Sequence, residues 1–167
     1  MIRAARPQEI ALLPQIENAA DRRYVRAGLT QVLAMAPASR AVLEEARRAH
    51  RLWVAVSPTS RVLGFALMKV VDGAAWLDQL SVLERWQGFG LGSALIDRCA
   101  AAASERGDRW LHLSTYLDVP WNAPFYRRRG FVPLPRGAWP RGFRRQVTIE
   151  NSHGHPPWRR VVLRRAV

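Results

Sequence analysis

The chain has 167 residues, 49% of them hydrophobic, and a formal charge of +13. That is enough apolar material for one domain spanning the whole chain, and no apolar run is long enough to cross a membrane. One cysteine, Cys99, excludes an internal disulfide and fits a cytoplasmic protein.

Met1 to Pro7 holds two arginines but no apolar h-region, so it reads as the start of the fold rather than a signal peptide. Ile2 to Ala5 suits a first strand. Pro7 suits a first helical turn, and Ile10, Leu13, Ile16, Ala20 and Tyr24 follow at helical spacing up to Gly28. Ser39 is placed to cap a second helix with Val42, Leu43 and Ala46 as its stripe. Leu52 to Val56, Val62 to Val71 and Ala75 to Val82 read as three consecutive strands, joined at Ser57-Pro58-Thr59-Ser60 and Asp72-Gly73.

Leu91 to Arg106 reads as a helix with Leu91, Leu95, Cys99 and Ala102 on one face, stopped by Gly107. A strand at Trp110 to Tyr116, a short helix at Trp121 to Arg129 and a strand at Phe131 to Leu134 follow. Residues 135–157 are rich in Gly, Pro and Arg and give no clear element; Trp158 to Leu163 suits a closing strand. Antiparallel hairpins followed by a strand-helix-strand crossover describe a mixed α/β domain with helices on both sheet faces.

The positive charge is almost all arginine, with Lys69 the sole lysine, and is dispersed over separate segments such as Arg22-Arg23, Arg127 to Arg129 and Arg159-Arg160. Dispersal argues against a dedicated nucleic-acid face. Its firmer consequence is that an anionic cofactor is attracted, whereas a polycationic substrate is repelled unless a local acidic pocket exists.

The chemistry concentrates in Gln87-Gly88-Phe89-Gly90-Leu91-Gly92-Ser93, between a strand and a helix. Glycines there let backbone approach a ligand, and the free N–H groups of a helix start favour an anion. The spacing is neither the dinucleotide fingerprint nor a P-loop, since Ser93-Ala94 follows Gly92 and no Gly-Lys-Ser/Thr occurs. Read as Q/R-x-x-G-x-G/A, it resembles the coenzyme A loop of the GNAT acetyltransferase superfamily. Trp76 to Val82 resembles the family strand before that loop. Asn122-Ala123-Pro124-Phe125-Tyr126 followed by Gly130-Phe131 resembles its next signature, in a form similar to a group of bacterial members.

The resemblance covers 75–131 and implies a central, mostly antiparallel sheet with one parallel strand pair, acetyl-CoA as cofactor, and direct acetyl transfer to an amine of a small molecule or peptide. Backbone groups of Gln87 to Gly92, with Phe89, Leu91 and Ser93 beside them, would hold the pyrophosphate. Main-chain groups of Leu80 and Val82 would meet the pantetheine arm and the thioester carbonyl, and Asn122 and Phe125 would lie along that arm. Tyr126 would protonate the departing thiolate, its phenol pKa of ~10 lying near that of a thiol.

Asp78 is the candidate base. It stands where some members carry a Glu, one methylene longer, and simple alternation puts it on the face of Trp76 and Leu80. Glu17 is a second candidate for substrate contact, although a solvated helix surface is the plainer reading; Tyr24, Thr115 and Trp121 complete the expected substrate contacts. His112 reads as a structural strand histidine and Cys99 as core. His153, His155 and Glu150 make only a poor metal set, so no metal is expected. The resemblance also allows a homodimer. Two other readings stay open: a non-catalytic acyl-CoA-binding module, against which Tyr126 argues, and a basic nucleic-acid-associated protein.

Overall fold

In the computed structural model, which describes residues 1–167, seven strands form one sheet in the order β1-β2-β3-β4-β5-β7-β6. β1 (Ile2–Ala4), β2 (Leu52–Val56), β3 (Val62–Val71) and β4 (Ala74–Val82) pair antiparallel in sequence. The long β3–β4 hairpin turns at Asp72 and Gly73, at φ of 53° and 80°, as a type I′ turn requires. β5 (Trp110–Tyr116) lies parallel to β4. β7 (Arg160–Ala166) pairs antiparallel with β5, and β6 (Val132–Pro133) with β7.

Alternation along β3 assigns the two faces. Phe65 and Leu67 meet Leu13, Ile16 and Leu43 from α1 (Leu13–Asp21) and α2 (Arg40–Arg48). Ala66 and Met68 meet Leu95, Ile96, Cys99 and Ala103 of α3 (Leu91–Glu105) on the opposite face. Cys99 is fully buried there, as its place in the stripe implied. The Ser39 hydroxyl caps α2, accepting from the Val42 N–H at 3.3 Å.

The segment without a clear sequence signal contains a helix, α5 (Arg141–Ser152). Pro140 precedes it, and Phe143, Gln146 and Val147 are buried with Glu150 half-buried one turn on, an i, i+3, i+4, i+7 pattern. Phe143 packs edge-on against Trp76 and His112, with ring centroids 4.9 and 4.7 Å away, which fixes α5 to the face carrying α1 and α2. The strand expected over Phe131 to Leu134 is two residues long. The last strand begins at Arg160 rather than Trp158, because Pro156 and Pro157 lead into a 3-10 turn that leaves Trp158 exposed.

Two irregularities shape the centre of the sheet. Leu67 pairs with Gln79 but Met68 with Leu77, so Asp78 is the extra residue of a β-bulge. The bulge breaks alternation: Leu77 and Leu80 both pack towards α3, and Asp78 does not share a face with Leu80 as simple alternation predicted. Further, β4 and β5 pair only at Ala75–Leu111 and Trp76–His112. Beyond those pairs the strands part, and the β5-facing edge of β4 from Leu77 to Val82 has no strand partner.

Candidate active site

A cavity of about 870 Å³ opens where β4 and β5 part, a volume typical of ligand sites. Its walls come from β4, β5, α1, α5, the glycine-rich loop and α4 (Ala123–Arg127).

The loop forms one end. Gly90 stands at φ 79°, a left-handed conformation that turns the chain into α3. The backbone N–H groups from Gly88 through Ser93 find no acceptor in the protein; the first intrahelical bond here is from the Ala94 N–H to the Gly90 carbonyl. Six consecutive free donors at a helix start are an anion cradle. Gly92 serves packing instead: a Cβ there would meet Phe125 Cζ at 3.4 Å, so α4 lies tight against the first turn of α3. The Arg129 guanidinium donates to the Ser93 hydroxyl and lies 3.7 Å over the Phe125 ring, adding positive charge beside the cradle. The Gln87 side chain is structural: its amide donates to the Val82 carbonyl at 2.8 Å and its oxygen accepts from Arg23 at 3.0 Å.

α4 supplies Tyr126. Its ring packs edge-on against Phe125 and Phe131, at 5.2 and 5.5 Å between centroids, while its hydroxyl lines the cavity and bonds to no protein group. Burial pushes the phenol well above its ordinary pKa, so it is fully protonated at neutral pH. Asn122 occupies the N-cap position of α4 without capping it; its buried amide meets the Tyr24 hydroxyl. Tyr24 also packs on Tyr116 and Trp121, at 5.6 and 5.9 Å, making an aromatic wall.

Carboxylates gather on the α1 side. Asp78 pairs with Lys69 Nζ at 2.7 Å, yet burial still pushes its pKa up. Glu17 is 9% exposed, not solvated as a helix-surface reading had it, because the Met35-to-Ser39 stretch runs over it; its Oε2 accepts the Ala38 N–H at 3.1 Å. Burial, reinforced by Asp21 and Asp78, pushes Glu17 up to about 7. Asp21, one turn on, is pushed up to about 6 by burial against the pull of Arg23.

The opposite wall is locked. Burial alone would raise Glu150, but Arg160 at 2.8 Å, with the Ser114 and Gln146 hydrogen bonds, holds it below the usual carboxylate range. Burial, with Arg160 adding, pushes His155 down to about 4, so its ring is neutral, and its Nδ1 is hydrogen-bonded to the Tyr116 hydroxyl. His112 lies below the cavity, its Nδ1 3.2 Å from the Ala75 carbonyl.

The cavity thus brings together Glu17, Tyr24, Asp78, Leu80, Val82, Gln87, Gly88, Gly90, Gly92, Ser93, Thr115, Trp121, Asn122, Phe125 and Tyr126. Phe89, which is 71% exposed, and Leu91, which turns into the core, lie outside it. Sequence reasoning missed Asp21, which falls on the same helix face as Glu17 and Tyr24. It weighed Glu150 only as part of a poor metal set and missed Arg160 and Tyr116; the signals were the α5 periodicity and the inward face of β5 and β7.

The comparisons agree with this fold. A family model described as an acetyltransferase (GNAT) domain matches residues 48–133, just over half of the chain. N-acetylglutamate synthase from Neisseria gonorrhoeae, solved with coenzyme A and N-acetyl-glutamate, has a similar fold with a TM-score of 0.72 at 19% identity. The match covers 99% of this chain but 34% of that one, so this chain spans about a third of that protein's length. PaiA N-acetyltransferase from Thermoplasma acidophilum, solved with coenzyme A, aligns over 100% of this chain and 98% of its own at 14% identity and a TM-score of 0.71. A GNAT acetyltransferase from Brucella melitensis, solved with acetyl-CoA, is 28% identical over 79% of this chain and 82% of its own, with a TM-score of 0.56. By its family-model match and its fold alike, the chain belongs to the GNAT family of acetyltransferases.

Proposed function

We propose that this protein transfers an acetyl group from acetyl-CoA to an amine by direct attack, without a covalent enzyme intermediate. The observation that carries the reading is the run of six free N–H donors from Gly88 to Ser93, which opens onto the unpaired edge of β4. These donors, with Arg129 beside them, fit a pyrophosphate, and the edge of β4 from Leu77 to Val82 offers main-chain groups to an extended pantetheine arm. The coenzyme supplies a thioester, whose carbonyl carbon is the electrophile.

The chain's own residues then handle position and protons. A backbone N–H of β4 aimed at the carbonyl oxygen would stabilise the charge developing there. Tyr126 Oη, protonated and free of any protein partner, gives its proton to the sulfur as the carbon–sulfur bond breaks. The acceptor ammonium loses its proton to a cavity carboxylate before its nitrogen attacks. Glu17 suits that step better than Asp78, since Asp78 is held by Lys69 while Glu17 has no cation and its pKa lies near neutral pH. Asn122 orients the site through Tyr24.

The test is acetyl-CoA-dependent thiol release with a panel of primary amines. Release that requires both an amine and Tyr126 supports the reading. Acetyl-CoA binding without release for any amine would leave a binding module in its place.

A further inference from the structure

Of the thirteen side-chain carboxylates, ten have an arginine or lysine nitrogen within salt-bridge distance. Asp72 is exposed at a turn and accepts the Gly142 N–H. The other two are Glu17 and Asp21, at i and i+4 on α1, and both line the cavity. Glu17 Oε1 has no partner, and Asp21 accepts no hydrogen bond from the protein.

In a chain with 26 arginines and lysines against 13 acids, this pairing defect has a definite place. Like charges at i and i+4 repel, and burial with no salt-bridge partner adds to the cost, eased for Asp21 only by the pull of Arg23. Of the five arginines and lysines that line the cavity, only Arg128, at the C-terminal end of α4, has no side-chain hydrogen-bond or salt-bridge partner. Lys69 is on Asp78, Arg160 on Glu150, Arg23 on Gln87, and Arg129 on Ser93. At the α1 end, ligand ammonium groups therefore find two carboxylates that no salt bridge holds, and the same pair repels a ligand carboxylate. The wall of Tyr24, Tyr116 and Trp121 continues the same helix face and suits a methylene chain ending in a cation.

Resting on the acetyl-transfer reading, we propose that the acceptor is a short diamine lacking a carboxylate, with its two ammonium groups held by Glu17 and Asp21. Side chains at i and i+4 stand about 5–6 Å apart at Cβ, a span that a short methylene spacer bridges. The local acidity reverses the repulsion that the overall charge of +13 imposes on such a substrate.

Calorimetric titration of the unliganded protein with putrescine, butylamine and γ-aminobutyrate tests this directly. The three carry an ammonium, a methyl and a carboxylate at the far end of chains of similar length. Putrescine should bind at least about tenfold more tightly than butylamine, with γ-aminobutyrate weakest. The double variant Glu17→Gln/Asp21→Asn should bind putrescine no better than butylamine, and its thermal melt, expected at or above the wild-type value, shows that it is folded. Equal affinities, or a preference for γ-aminobutyrate, would overturn the diamine assignment. Thiol release with putrescine is read separately. Binding without release removes the transfer reading and leaves the diamine site standing, whereas release that favours γ-aminobutyrate keeps the transfer and removes the diamine.

Discussion

The Tyr24 hydroxyl lies 3.0 Å from Asn122 Nδ2 and 3.1 Å from its Oδ1, joining residues 98 positions apart. Tyr24 follows α1 on the side of the free carboxylates, and Asn122 heads the helix that carries Tyr126. This bond therefore ties the helix that carries Tyr126 to the segment that follows α1, and so positions the two groups proposed to handle protons. Tyr24→Phe keeps the ring and leaves a buried amide unsatisfied, a cost of about 1–3 kcal/mol. We expect a lower melting temperature by circular dichroism and a lower kcat, with acetyl-CoA affinity nearly unchanged. An unaltered kcat would show that the bond is structural only.

Tyr126→Phe deletes one oxygen from a site where that oxygen touches no protein group. Stability should change little, and kcat should fall by about 100-fold or more while acetyl-CoA affinity holds. Unchanged turnover would remove Tyr126 from the proton path.

Glu17 makes a pH signature. Its folded pKa is raised, so between the ordinary carboxylate range, about 4, and about 7 the folded chain holds a proton that the unfolded chain has released. Wild-type stability from this group falls as pH rises through that window, and above pH 7 the full penalty applies. Glu17→Gln removes the penalty. The variant should gain on the wild type from pH 4 to 7, by up to the order of 3 kcal/mol, with Asp21, Asp78, Lys69 and Arg23 unchanged around it. In the wild type kcat/KM should rise with an apparent pKa near 7, a limb that Glu17→Gln loses and Asp78→Asn keeps. Loss of the limb in Asp78→Asn instead would move the base to the bulge.

Arg160 and Glu150 fasten α5 to β5 and β7. Arg160→Met strands a buried carboxylate and should cost about 3–5 kcal/mol, read as a shift in the urea midpoint. The loss should shrink at pH 4 as Glu150 protonates. A pH-independent loss would point to packing rather than charge.

Sequence pattern carried most of the scaffold because strand and helix periods were regular through Gly107, and the glycine-rich loop had a spacing with few alternative readings. What it could not carry came from two sources. The bulge at Asp78 resets alternation, and a one-residue insertion leaves no mark in composition, so Leu80 fell on the wrong face. In α5 the arginines, glycines and prolines around Phe143, Gln146, Val147 and Glu150 mask a helical stripe whose polar members are buried by pairing with Ser114 and Arg160. Asp21 was hidden differently: a charged residue on an amphipathic helix reads as solvent-facing unless the chain above it is known.

The central claim is that the N–H cradle from Gly88 to Ser93 binds the acetyl donor, and calorimetric titration of acetyl-CoA into wild type and Gly90→Val tests it most directly. A β-branched side chain at φ 79° is strained by about 1–3 kcal/mol and pulls the cradle out of shape. The account predicts binding at about micromolar Kd to the wild type and at least tenfold weaker binding to a folded Gly90→Val. No binding to the wild type, or equal binding to both proteins, would contradict it.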